Sequence, residues 1–98
     1  MRDIFIYSKS YLDEDLIPYV ADARDFYAKD YQLMRSRSKI YYINSLLFFT
    51  ALAKAYHGQS YEDIARNMEL SESHVRNQIL ATQNKVRLYI KIKALGRC

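Results

Sequence analysis

The sequence predicts an all-α chain, on three observations: few backbone breakers, apolar residues at helical spacing, and serines placed to cap short amphipathic runs. With Gly 2 and Pro 1 in 98 residues, it has neither the turns of an all-β design nor the composition of a disordered segment. Half of the residues are hydrophobic, so a core is available, and the length suits one domain. No repeat, low-complexity stretch or Gly/Ser/Pro-rich linker divides it.

The first seven residues alternate weakly, Ile4 and Ile6 against Phe5 and Tyr7, and fit a short strand or an arm equally. The first helix is expected to begin near Asp13–Asp15. Three acidic side chains there complement the partial positive charge of a helix N-terminus and accept its free N–H groups. Pro18 then falls in or near the first turn, where a missing N–H costs least. Leu16, Val20, Ala23, Tyr27, Tyr31 and Met34 form one apolar stripe. Arg35, Arg37 and Lys39 interrupt it, and Ser38 can cap a second helix over about 39–57.

That second helix is apolar nearly all round. Ile40, Ile43, Leu47, Ala51 and Ala55 make one face; Tyr41, Phe48, Leu52 and Tyr56 make another, widened by Phe49. Such a helix must be covered on more than one side, by the elements that follow and by the N-terminal helix or a second copy. His57 and Gly58 end it.

Three shorter helices follow. Ser60 caps the first, with Asp63 three residues on, and Ile64, Ala65 and Met68 point inward. Ser71 opens the next, with Glu72 in its first turn and Val75, Ile79 and Val86 on its inner face. From Val86 to Ile92 the pattern alternates as a strand would. Yet Leu88, Ile92 and Leu95 fit a helical stripe and a lone strand would lack a partner, so helix is expected.

Two short helices joined by a tight turn, the second basic and exposed, are what reading a DNA major groove requires. Ala65 is small where the two helices approach, Leu70 is expected to plug the turn, and Val75 to anchor the second helix. Ser73, His74, Arg76, Asn77, Leu80 and Ala81 then face away from the core. Arg pairs with guanine and Asn with adenine through two hydrogen bonds each, which makes Arg76 and Asn77 the expected base readers. Charge agrees with this placement. Residues 1–34 carry four basic and seven acidic groups, whereas residues 71–98 carry six basic groups and the single acid Glu72. A positive C-terminal end suits an anionic partner, nucleic acid first and a membrane surface second.

Gly58, Gln59 and Ser60, then Ile64 and Ala65, then Ser71 to Arg76, then Lys85 and Val86, and finally Lys91 and Ala94 carry a resemblance. At these spacings, over about residues 45–95, the chain resembles the LuxR/GerE-type helix-turn-helix family. The resemblance implies a four-helix unit, here with an additional N-terminal helix, whose third helix (about 72–84) reads DNA and whose fourth often forms a dimer. It further implies base-facing roles for Arg76, Asn77 and Leu80. His74 stands where a phosphate-contacting Thr is usual, and Lys85 matches a basic position near the DNA backbone. The chain departs from the family at Leu47 to Thr50, where acidic residues are usual, at Gln78 for a common His, and at Thr82 for a large aliphatic residue. The stretch Gly58 to Ala65 is also similar to the promoter-reading fourth region of sigma factors.

The residues therefore predict an N-terminal helical extension (1–38) serving dimerisation or partner binding, followed by a DNA-binding domain (39–98). The expected DNA contacts are Ser73, His74, Arg76, Asn77, Leu80, Lys85, Arg87 and Lys91, with Arg35 and Arg37 as further phosphate contacts. The expected partners are double-stranded DNA, a second copy as homodimer, and RNA polymerase. The alternative is a protein-interaction module of the same shape that binds RNA polymerase or another regulator and does not read DNA.

No catalytic constellation or cofactor site is expected. His57 and His74 lack carboxylate or cysteine company at ligand spacing, so neither a metal nor a general-base role is expected. Helix initiation accounts for Asp13 to Asp15, and packing for Tyr27, Tyr31, Tyr41 and Tyr56. Cys98, the single cysteine, allows no internal disulfide and is expected to be inert. Without a signal-peptide pattern or a run long enough to span a bilayer, a cytoplasmic setting is the expectation.

Overall fold

The computed structural model describes residues 12–96; the segment read as strand or arm, and Cys98, lie outside the described residues. Among those described, all regular structure is helical, and none of the helices is long and apolar enough to cross a membrane. A 3-10 turn, Glu14–Tyr19, leads into α1 (Val20–Gln32), α2 (Lys39–Ser45), α3 (Leu47–Tyr56), α4 (Tyr61–Met68) and α5 (Glu72–Leu95).

Asp13 caps the opening turn, its carboxylate accepting the Asp15 N–H at 3.1 Å. The α-helix itself starts only at Val20, later than the acidic cluster suggests. Pro18 accounts for the delay: in an α-helix its ring would crowd the Glu14 carbonyl four residues back, and the α-helix begins only beyond it. The stripe of Leu16, Val20, Ala23, Tyr27 and Tyr31 is buried. It packs into a single core with Phe49, Leu52, Ile64, Val75, Ile79 and Val86, so the described N-terminal part and the later helices share one interior.

The helix expected over 39–57 is two helices. The chain tightens at Leu46, where Leu46 N–H bonds Ile43 C=O and Phe49 N–H bonds Leu46 C=O, each at 3.1 Å and each to a residue only three back. Ser45 contributes by donating its hydroxyl to the Tyr42 carbonyl, a back-bond that bends helices. Burial along this stretch is uneven. Phe48, Phe49, Ala51, Leu52 and Ala55 are buried in α3, whereas Ile40 and Leu47 are 70% and 59% exposed. α2 lies alongside α1 and α3 but has no buried residue of its own.

Ser60 and Ser71 cap α4 and α5 as their positions suggest, accepting the N–H groups of Asp63 and His74 at 3.1 and 3.2 Å. Between them the chain turns in three residues. Glu69 adopts the left-handed conformation (φ 58°, ψ 41°), and Leu70 N–H closes the end of α4 onto the Ala65 carbonyl at 3.0 Å. Leu70 does not plug this turn; its side chain is 40% exposed. The largest difference from expectation lies beyond. The 72–84 helix and the last helix are one helix of 24 residues. No Gly or Pro interrupts it, and Val75, Ile79, Thr82, Val86 and Tyr89 keep one buried stripe in register throughout.

Candidate nucleic-acid interface

α4 and the first half of α5, joined by three residues, pack against one another, and Ile64, Ala65 and Val75 are all buried. Because α5 buries the 75/79/82/86 stripe, the 73/77/80/84 stripe points the opposite way. Ser73, Asn77 and Asn84 are exposed there and Leu80 is half-buried, with Ala81 exposed beside them. This outer stripe is uncharged.

Four of the other expected contacts lie on the flanks. Arg76 and Arg87, about three turns apart, occupy one side of α5; His74 and Lys85, about three turns apart, occupy the other. All four have partners. Arg76 pairs with Glu72 one turn earlier at 2.6 Å and lies 5.4 Å above the centre of the Tyr61 ring. Arg87 donates to Asn84 at 2.8 Å and to the Asp13 carboxylate at 3.3 Å. His74 meets the Phe48 ring edge-on at 5.9 Å. Lys85 lies between α5 and the first helices, with its ammonium 3.4 Å from Ser45 Oγ and 5.8 Å from the Tyr31 ring centre. Burial pushes the Lys85 ammonium below the usual lysine value, with Tyr41 and Tyr42 opposing.

Ser73, Asn77 and Leu80 thus come together on one face, bordered by Arg76 and Arg87 on one side and His74 and Lys85 on the other. Lys91 does not join them. It is exposed, but it lies about 21 Å along the helix axis from Asn77 at 1.5 Å per residue. A straight rod of that length leaves a curving groove before its far end reaches it. Arg35 and Arg37 are exposed in the loop before α2.

Two features were missed in the sequence. Asn84 completes the outer stripe, and the 73/77/80 spacing would have found it. The pairing of Asp13 with Arg87 across 74 residues carried no local signal. Asp13 is held by Gln83, which is 2% exposed and whose Oε1 accepts the Asp13 N–H at 2.7 Å and the Tyr56 hydroxyl at 3.1 Å. The single Tyr56 hydroxyl proton is shared between this oxygen and the Asp13 carbonyl, which lies 2.9 Å away. Burial and the Asp13 carboxylate push the Tyr56 phenol up to about 12, against the opposing influence of Arg87.

Beside the start of α5, an open groove of about 660 Å³ runs between α3 and α4. Leu47, Phe48, Met68 and Leu70 supply its apolar lining, with Asn44 and His74 among its polar neighbours. Among the described residues, no group of three His, Cys, Asp or Glu side chains is placed to hold a metal ion. No family model matches the chain, and no curated protein or solved structure shows significant similarity to it.

Proposed function

We propose that this chain is a sequence-specific regulator of transcription that binds duplex DNA, with α4 across the backbone and the 72–84 part of α5 in the major groove. The observation that carries the reading is the outer stripe Ser73–Asn77–Leu80, presented directly after a three-residue turn and bordered by cations on both flanks. A helix in the groove needs such a surface: hydrogen-bonding groups toward base edges, positive groups toward the phosphate rail on each side. Asn77 is exposed and suits adenine. Arg76 suits guanine but must first leave Glu72, so Asn77 is the stronger base reader. His74, Lys85, Arg76 and Arg87 supply phosphate contacts, and Ser73 and Leu80 close the surface. As a homodimer the protein would favour half-sites about one helical turn, roughly 34–36 Å, apart.

Fluorescence anisotropy with labelled duplexes enriched from a random library tests this. Binding at low salt should weaken by about tenfold or more on Asn77→Ala, in keeping with about 1–3 kcal/mol for a good bidentate contact. Absence of binding at low salt, or affinity indifferent to both Asn77→Ala and Arg76→Ala, would sink the proposal.

A second reading, a protein-interaction module, is favoured by one observation: the outer stripe of α5 is itself neutral, and Leu47 and Leu70 lie exposed at the adjacent groove. Its partner would be RNA polymerase or another regulator. Titration with purified core RNA polymerase in the absence of DNA discriminates, because Leu47→Ser and Leu70→Ser would weaken that binding and leave DNA binding intact.

A further inference from the structure

We propose that a second copy of this chain docks on the face formed by α1 and the C-terminal half of α5, each copy setting its basic α5 against the acidic α1 of the other. The proposal shares with the DNA reading only its two-copy stoichiometry.

Besides its buried stripe, α5 carries another one. Ala81, Lys85, Leu88, Ile92 and Leu95 recur at alternating four- and three-residue intervals, the spacing of a helix seam. Leu88 is 50% exposed, and Ile92 and Leu95 are exposed with it. Such a stripe on the surface is an association signal. From Val75 to Leu95 the helix holds five cations and no carboxylate; exposed Lys91 borders the stripe, and Lys93, also exposed, lies on the side of α5 toward α1. Pairing α5 with α5 of another copy would therefore set lysine against lysine.

The complementary surface is in the same molecule. Residues 13–30 hold six carboxylates against two cations, and Asp22 and Asp25 are exposed on α1. Ile17 and Tyr19 are exposed large apolar side chains in that segment, and Leu33 is another just beyond it. α1 and α5 lie side by side and antiparallel. Tyr19 and Asp22 share a hollow of about 450 Å³ with Tyr89 and Lys93, while further along α1 the Tyr27 hydroxyl donates to the Lys85 carbonyl at 3.0 Å. Acidic and basic surfaces are thus neighbours on one monomer. Two complementary patches placed side by side allow a twofold axis between them, so that each copy gives and receives the same contact. The result is a closed dimer with apolar contacts inside a charged rim.

Light scattering on the full chain, without DNA, tests the proposal. The wild type should show twice the 11.6 kDa chain mass. Lys91→Glu with Lys93→Glu should weaken association by about tenfold or more, as should Asp22→Lys with Asp25→Lys. An equimolar mixture of the two variants should regain the doubled mass, since each then offers the other an opposite charge at both contacts. Leu88→Ser, at a half-exposed position, should weaken the dimer without charge change, and circular dichroism should report unchanged helix in every variant. A monomeric wild type, a dimer insensitive to all three variants, or a mixture that stays monomeric would overturn the proposal. Failure here shows in mass and failure of the DNA reading in anisotropy, so the two are separable.

Discussion

Tyr56 on α3 and Gln83 on α5 meet at 3.1 Å in the interior, and together they hold the backbone of Asp13 by both its N–H and its carbonyl. This is where Asp13 is tied to helices far from it in sequence. Gln83→Ala should destabilise the fold by about 2–3 kcal/mol, because it strands the Asp13 N–H and leaves a cavity. A urea unfolding midpoint unmoved by the substitution would contradict this.

The same chemical change should have opposite signs at two tyrosines. Tyr56→Phe removes a hydroxyl that donates to the Asp13 carbonyl and should cost about 1 kcal/mol. The Tyr61 hydroxyl is buried without a hydrogen-bond partner, so Tyr61→Phe removes an unsatisfied polar atom and should stabilise by up to about 1 kcal/mol. Paired thermal melts of the two variants read the signs directly.

Alkaline pH supplies a second reading of Tyr56. Its phenol ionises near 10 in the unfolded chain and about 12 in the fold, so folding favours the protonated form. The associated stability is whole below pH 10 and is lost as pH rises through about 12. Unfolding midpoints measured across that window should fall more steeply for the wild type than for Tyr56→Phe. Parallel slopes would show that Tyr56 is not the group responsible.

Glu69 holds a left-handed conformation without the freedom of glycine. Glu69→Gly should therefore stabilise the helix-turn-helix by about 0.5–1 kcal/mol, relief of Cβ crowding outweighing the greater entropy of glycine when unfolded. Gly58 is the converse case: φ is +96° and a Cβ there would meet nothing, so Gly58→Ala should cost about 1 kcal/mol through backbone strain alone.

On DNA, flank and face should separate in salt. Lys85→Ala should lower affinity evenly across sequences and flatten the salt dependence by about one unit of slope, as expected for one phosphate contact. Asn77→Ala should relax preference at one base pair and leave the slope unchanged. Identical behaviour of the two would remove the distinction between rail and face.

The local signals in the sequence were legible. The Leu16 to Tyr31 stripe, the Ser60 and Ser71 caps and the outward Ser73, Asn77 and Leu80 all follow from spacing and short-range hydrogen bonding. The break at Leu46 carried no glycine or proline; it comes from a serine back-bond in a run that reads as continuous helix. The merging of the last two helices was obscured because Val86 to Ile92 alternates like a strand, although the 75/79/82/86/89 register runs straight through it. Gln83 was passed over because a lone polar residue in a helix ordinarily meets water, and its partners, Asp13 and Tyr56, are far away in sequence. The tethering of Arg76 and Arg87 lowered their standing as DNA contacts, which residue type alone had raised.

The unbroken α5 also makes the chain intolerant of length change. One residue inserted between Gln83 and Val86 would turn everything beyond it by about 100° and advance it 1.5 Å. Val86 and Tyr89 would swing out of the interior while the stretch before them stayed seated. The surface around Asn77 and the surface around Leu88 are therefore phased to each other like marks on one shaft. They can vary in side chain, but they cannot be spliced, shuffled or lengthened separately.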